Sequence, residues 1–173
     1  MLDRAKILRL FEALNEELEK QGEIGEICLC GGAVMCLVFD ARESTKDVDA
    51  IFRPTKKIRE ASAKVARELG VPEDWLNDAA KGFFMSEPSK VPVLDLSHLR
   101  VTAPSADYML AMKCISARFD TSDADDVRFL IKHLKLEAST EVFHIVEKYY
   151  PRQQIPPKTQ FLVEELLQNS GDR

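Results

Sequence analysis

One short apolar run ends in two glycines and the next opens on two aspartates. Together they fill residues 26–52, EICLCGGAVMCLVFDARESTKDVDAIF, the stretch that most limits what this chain can become. EICLC, bounded by Gly25 and Gly31, predicts a short buried strand. Residues 33–39 are apolar all round and predict a short buried helix. VDAIF, stopped by Pro54, predicts a second strand. A strand, a glycine junction, a helix and a further strand in this order suit an α+β fold with an α/β-type core.

The surrounding sequence supplies the other layers. Ile7, Leu8, Leu10, Phe11, Leu14 and Leu18 recur at helical spacing and predict an amphipathic helix over 3–20, ended by Gln21-Gly22. Ile58, Ala61, Val65 and Leu69 predict a helix over 56–69 with Gly70 as its stop. PEDWLNDAA predicts another helix, opened by Pro72 with acids in its first turn. Strands are expected at 91–96 and 99–103. Helices follow at 105–118, 123–135, 139–149 and, after the proline-broken loop 151–157, at 159–168. The expectation is a small mixed-sheet core with flanking helices in residues 1–104. A helical C-terminal subdomain, 105–173, is expected to pack on that core.

Composition narrows the partners. A net charge of −5 argues against non-specific coating of nucleic acid, although Lys56, Lys57, Arg59 and Lys64 form a local basic cluster. The start of the chain resembles neither a signal nor a transit peptide. No run approaches the roughly 18 apolar residues of a membrane helix. Cys28, Cys30, Cys36 and Cys114 lie in apolar stretches without a C-x-x-C pair and read as buried thiols of a cytoplasmic protein. His98, His133 and His144 are too scattered to add a zinc site.

The chemistry sits in the glycine and aspartate pairs. Side chains two apart on a strand share a face, so Asp47 and Asp49 are expected to project together. Two carboxylates aimed at one point suit Mg²⁺ or Mn²⁺, hard ions that also bind phosphate. Gly31 and Gly32, at a strand-to-helix junction, would let backbone N–H groups approach a phosphate closely. Each pair alone has a plainer reading: a tight turn for the glycines, a solvated strand edge for the aspartates. An acid within the apolar strand VLDL needs a partner, which singles out Asp95, unless it caps a turn with Ser97. Lys113 interrupts an apolar helix face and calls for an anion, either a phosphate or Asp126, unless it extends to water. Asp123, Asp125 and Asp126 also suit a helix N-terminus.

The Gly-Gly and Asp-x-Asp motifs in this order resemble the polymerase-β-type nucleotidyltransferase superfamily. The fourteen residues between Gly32 and Asp47, with Arg42, Ser44 and Thr45 among them, are similar to the spacing in bacterial AbiEii-like proteins. Those are nucleotidyltransferase toxins of abortive-infection systems. The segment WLNDAAKGF with the later helix YMLAMK is similar to a related group of uncharacterised bacterial proteins. The resemblance spans roughly residues 26–130. It implies an enzyme that moves a nucleotidyl group from an NTP with Mg²⁺ to a hydroxyl on RNA, protein or a small molecule. It also implies an antitoxin partner; a non-catalytic nucleotide-binding or partner-binding module on the same fold is the alternative. Carried over by residue, Gly31, Gly32, Thr45 and Lys46 would hold the triphosphate. Asp47, Asp49 and, as the third carboxylate that the family places on a later strand, Asp95 would hold the metal, with Asp78 as its rival. Asp95 would accept the proton of the acceptor hydroxyl. Lys113 and Asp126 would complete the catalytic set. Gly32 stands where many members carry Ser, so one side-chain phosphate contact is absent.

Overall fold

A computed structural model describes residues 1–85, 87–116 and 121–168. The chain is an α+β protein with a mixed five-stranded sheet, a two-stranded sheet and a helical C-terminal part. Its residues divide into two compact units. One comprises Met1–Lys81 and Lys90–Pro104; the other comprises Gly82–Ser89 and the chain from Ser105 onward.

In the first unit, strand β1 (Leu2–Asp3) leads into helix α1 (Arg4–Lys20). The Asp3 side chain caps the helix by accepting the Lys6 N–H at 2.8 Å. Ile7, Leu10, Phe11, Leu14 and Leu18 form its buried stripe. Glu17 also lies on that stripe, where Lys64 of α3 (Thr55–Leu69) meets it at 2.7 Å. The hydrogen bond from Lys64 holds the Glu17 carboxyl below its ordinary pKa. α3 buries Ile58, Ala61, Val65 and Ala66 and stops at Gly70, whose φ of 66° an L side chain would resist.

The main sheet runs β5 (Leu76–Asn77), β4 (Val48–Arg53), β2 (Gly25–Leu29), β7 (Leu99–Pro104), β6 (Lys90–Asp95). β2 is central, antiparallel to β4 and parallel to β7. Period-two alternation gives the sheet two unlike faces. Ile27, Leu29, Val48, Ala50, Phe52 and Val101 are buried on one. α1 and α3 cover that face: a Cβ on Gly25 would stand 2.8 Å from Leu18 and 3.2 Å from Ile58. The other face carries Cys28, Asp49, Ile51 and Thr102, half-buried, and Glu26 and Arg100, exposed. Between β2 and β4 lie α2 (Gly31–Leu37) and β3 (Ser44–Thr45), and β3 pairs with β1 (Leu2↔Thr45).

The helix expected from PEDWLNDAA is absent. Pro72–Trp75 is a turn, residues 76–77 form β5, and Ala79–Phe83 is a 3-10 helix. The cause is tertiary. Trp75 is buried, its indole N–H donates to the Ser62 carbonyl at 3.1 Å, and its own carbonyl accepts the Val48 N–H. Strand pairing to β4 captured a segment whose acids alone favoured a helix N-terminus.

The second unit holds α4 (Ala106–Ser116), α5 (Thr121–His133), α6 (Ser139–Tyr149) and α7 (Pro157–Gln168). Residues 117–118 of the helix expected over 105–118 lie outside the described residues. α4 is buried from Tyr108 to Cys114 and packs on α5 and α6. Thr159 of α7 donates to its Cys114 carbonyl at 2.8 Å. Cys28 is half-buried and the other three cysteines are buried; burial pushes the Cys114 thiol up to about 12. Among the described residues no helix is long and apolar enough to cross a membrane.

Asp107 joins the first turn of α4 to the end of α6. Partial burial pushes its carboxyl pKa up, but hydrogen bonds from Ser105, Tyr149 and Lys148 outweigh that and hold it at about 2. A depressed carboxyl stabilises the fold above its unfolded pKa and loses that contribution as pH falls from about 4 to about 2. Asp107→Asn is expected to cost about 1–2 kcal/mol near neutral pH, allowing for solvent screening. Urea unfolding repeated down the acid range should show this deficit shrinking; a deficit independent of pH would refute the charge-based account.

Candidate functional site

Asp47 and Asp49 stand at the opening of β4. The Val48 N–H is bonded to the Trp75 carbonyl at 2.6 Å, and the Asp49 carbonyl accepts the Cys30 N–H at 2.9 Å. Those bonds fix the register, and Val48 and Ala50 fill the covered face. Alternation therefore turns Asp49 to the opposite face, and Asp47, one step before the strand, follows it. Both are half-buried.

The glycine pair meets the aspartates there. Gly31 has φ of 61°, and a Cβ on it would stand 2.9 Å from Asp49 Oδ2. A Cβ on Gly32 would stand 2.5 Å from Thr45 Oγ1 and 3.4 Å from an Arg42 guanidinium nitrogen. The two ends of the motif, separated by fourteen residues of sequence, are thus in contact. The contact also explains the glycines in a way the sequence did not suggest. The space a side chain would occupy at 31 and 32 is taken by Asp49 and Thr45, atoms of the protein itself. Thr45 is 6% exposed and held by β1 pairing and by its hydroxyl, which donates to the Asp47 carbonyl at 3.1 Å. It cannot swing away.

Gly32→Ala is therefore expected to cost about 1–3 kcal/mol through overpacking. Adding Thr45→Ala should recover most of that loss, giving a favourable coupling in a double-mutant cycle read by urea unfolding. Additive losses would show that the two residues do not share this space.

The other expected site residues fall in different places. Lys46 is exposed beside Asp47, and Arg42 is half-buried against Gly32. Asp95 is not brought to the pair. It ends β6, with its side chain 79% exposed and 3.7 Å from Arg100. The register Asp95↔Arg100, Arg100↔Glu26, Glu26↔Arg53 places it at the end of the sheet opposite Asp47, with two strands between β6 and β4. Three strand spacings of about 4.8 Å separate β6 from β4 before any distance along the strands is added. The expectation of a buried acid failed because β6 is an edge strand, exposed or half-buried throughout, so its charge needs no buried partner. The rival, Asp78, is held by Arg59 at 2.9 and 2.7 Å, which keeps its carboxyl below the ordinary value.

Lys113 and Asp126 belong to the second unit. The Lys113 ammonium lies 2.8 Å from Asp123 and 2.7 Å from Asp126, which is 2% exposed. It meets carboxylates of α5 there, and does not extend to water.

Sequence reasoning overlooked Asn77. Parallel pairing sets it opposite Asp49, and its amide N–H donates to Asp47 Oδ2 at 3.4 Å. No periodicity marked it, because β5 has only two residues.

Among the described residues no group of three or more His, Cys, Asp or Glu side chains is placed to hold a metal ion. Asp47 and Asp49 nonetheless fit Mg²⁺ or Mn²⁺ in one respect. Their oxygens are hard ligands, and Mg²⁺ is commonly held by one or two carboxylates together with substrate phosphates and water. The pair suits an ion that arrives with its nucleotide and is a poor cage for one held alone. No family model, curated protein or solved structure matches the chain.

Proposed function

We propose that this chain is a metal-dependent nucleotidyltransferase, moving a nucleotidyl group from an NTP to a hydroxyl acceptor. The observation that carries the reading is the junction itself. Two half-buried aspartates share one face at the opening of β4, with the Gly31 backbone against Asp49. Asp47 and Asp49 would hold Mg²⁺, which when bound neutralises phosphate charge and orients the reacting groups. The chain's own contribution is positioning, the larger part of phosphoryl-type catalysis. Thr45 fixes the backbone before the pair, and Arg42, against Gly32, and Lys46, next in sequence to Asp47, would be the cations to meet phosphate charge. Asp95 has no part in this reading, and Lys113 serves to join α4 to α5. An acceptor on RNA, protein or a small molecule, and a toxin-like role with an antitoxin partner, rest on the resemblance alone.

One observation favours a second reading, a nucleotide-binding module without turnover: the pair has no third carboxylate from β6. Thermal melts with each of the four NTPs, with and without Mg²⁺, combined with an assay for labelled NTP turnover, separate the two. A Mg²⁺-dependent rise in melting temperature with turnover supports transfer. A rise without turnover supports the module, and no rise with any NTP removes both.

A further inference from the structure

We infer that Asn77 is a positioning residue for the Asp47 carboxylate, an inference that rests on the metal-dependent reading of the Asp47–Asp49 pair. Three observations place it. Parallel pairing of β5 with β4 puts Asn77 opposite Asp49, on the same face of the sheet. Its Oδ1 accepts the Ala79 N–H at 3.0 Å, which fixes which end of the amide faces which neighbour. Its Nδ2 is then the end turned to Asp47 Oδ2, at 3.4 Å. The reversed amide would set an oxygen against a carboxylate and leave the Ala79 N–H facing a donor.

The platform beneath Asn77 is rigid. Trp75, two residues earlier, is 1% exposed and tied to Ser62 and to Val48. β5 thus delivers a neutral donor to one oxygen of Asp47 and leaves the other oxygen to a cation. An aspartate at this position would have kept the bond to Ala79 and supplied a third anion beside the pair. The amide instead orients an existing ligand without adding charge. Groups that orient metal ligands in this way typically control metal affinity by about 10- to 100-fold.

The test uses the full chain with two probes, Mn²⁺ alone and Mg²⁺ with the NTP that raises the wild-type melting temperature most. Asn77→Ala is expected to weaken Mg²⁺-dependent nucleotide binding by about 10-fold. Asn77→Asp should melt below wild type without metal, because it brings a third carboxylate to the pair. Mn²⁺ alone should then raise its melting temperature more than that of wild type. An asparagine whose side chain did not face the pair would not produce that metal-selective rescue. Wild-type nucleotide affinity in Asn77→Ala, with equal Mn²⁺ shifts in Asn77→Asp and wild type, overturns the inference and leaves the enzyme reading standing. If wild type shows no Mg²⁺-dependent nucleotide shift, both fall together. Should Asn77→Ala fail to fold, the Mn²⁺ comparison of Asn77→Asp with wild type decides alone.

Discussion

Lys113→Met is expected to destabilise the protein by about 3–5 kcal/mol, the scale seen when one partner of a buried ion pair is removed. Lys113 is 7% exposed and Asp126 2%, and their charged atoms lie 2.7 Å apart. Methionine matches the length of the stem but leaves Asp126 without that ammonium in a site that water barely reaches. Asp123 is 18% exposed at its side chain and can recover hydration, so the cost falls mainly on Asp126. A typical domain has only about 5–15 kcal/mol in total, so the urea midpoint should drop steeply. The double variant Lys113→Met/Asp126→Asn should regain part of the loss, since no full charge then stays at the Asp126 position. Whatever still folds should bind nucleotide as wild type does. A loss below about 1 kcal/mol, typical of exposed pairs, combined with weaker NTP binding would instead assign the ammonium to phosphate.

Asp49→Asn should have the opposite signature. Asparagine has nearly the same volume, so the contact of residue 49 with the Gly31 backbone survives. Removing one of two neighbouring carboxylates relieves like-charge repulsion between them, and the metal-free fold should survive the change. Mg²⁺-dependent nucleotide binding should nevertheless fall by at least the roughly 10- to 100-fold seen when mere outer-shell groups are lost. Asp47→Asn should behave alike, since in the proposed function both side chains would serve one ion. Calorimetric melts and nucleotide titrations on both variants check this together. A sharp fall in melting temperature for both would make the carboxylates structural and defeat the site.

The parts of the chain that were legible in sequence are those where local pattern and tertiary demand agree. α1 follows its apolar stripe, α3 ends at the glycine that its stripe predicted, and β4 runs as VDAIF suggested, one residue longer. Period-two alternation also foretold that Asp47 and Asp49 share a face. Where the two demands diverge, the sequence misled. Acids after Pro72 favoured a helix start, but the burial of Trp75 and its bond to Val48 won. The apolar flanks of Asp95 suggested an interior strand, yet β6 is an edge. The contacts of Gly32 with Thr45 and of Asn77 with Asp47 were invisible because each depends on residues far apart in sequence meeting across the sheet.

The placement of β7 has a consequence for how the protein can be made or cut. β2, the middle strand, gains its second neighbour only when the chain reaches Leu99, so during synthesis one of its edges stays bare long after β4 has formed. Such late, long-range pairing slows folding and prolongs the exposure of a sticky strand. Residues 82–89 are made before β6 and β7 but group with the helices that follow. Tyr150, for one, donates its hydroxyl to the Phe83 carbonyl. A truncation before Leu99 strips β2 of a neighbour, and one after Pro104 leaves 82–89 without their helices. No single cut yields two fragments that each keep all their partners.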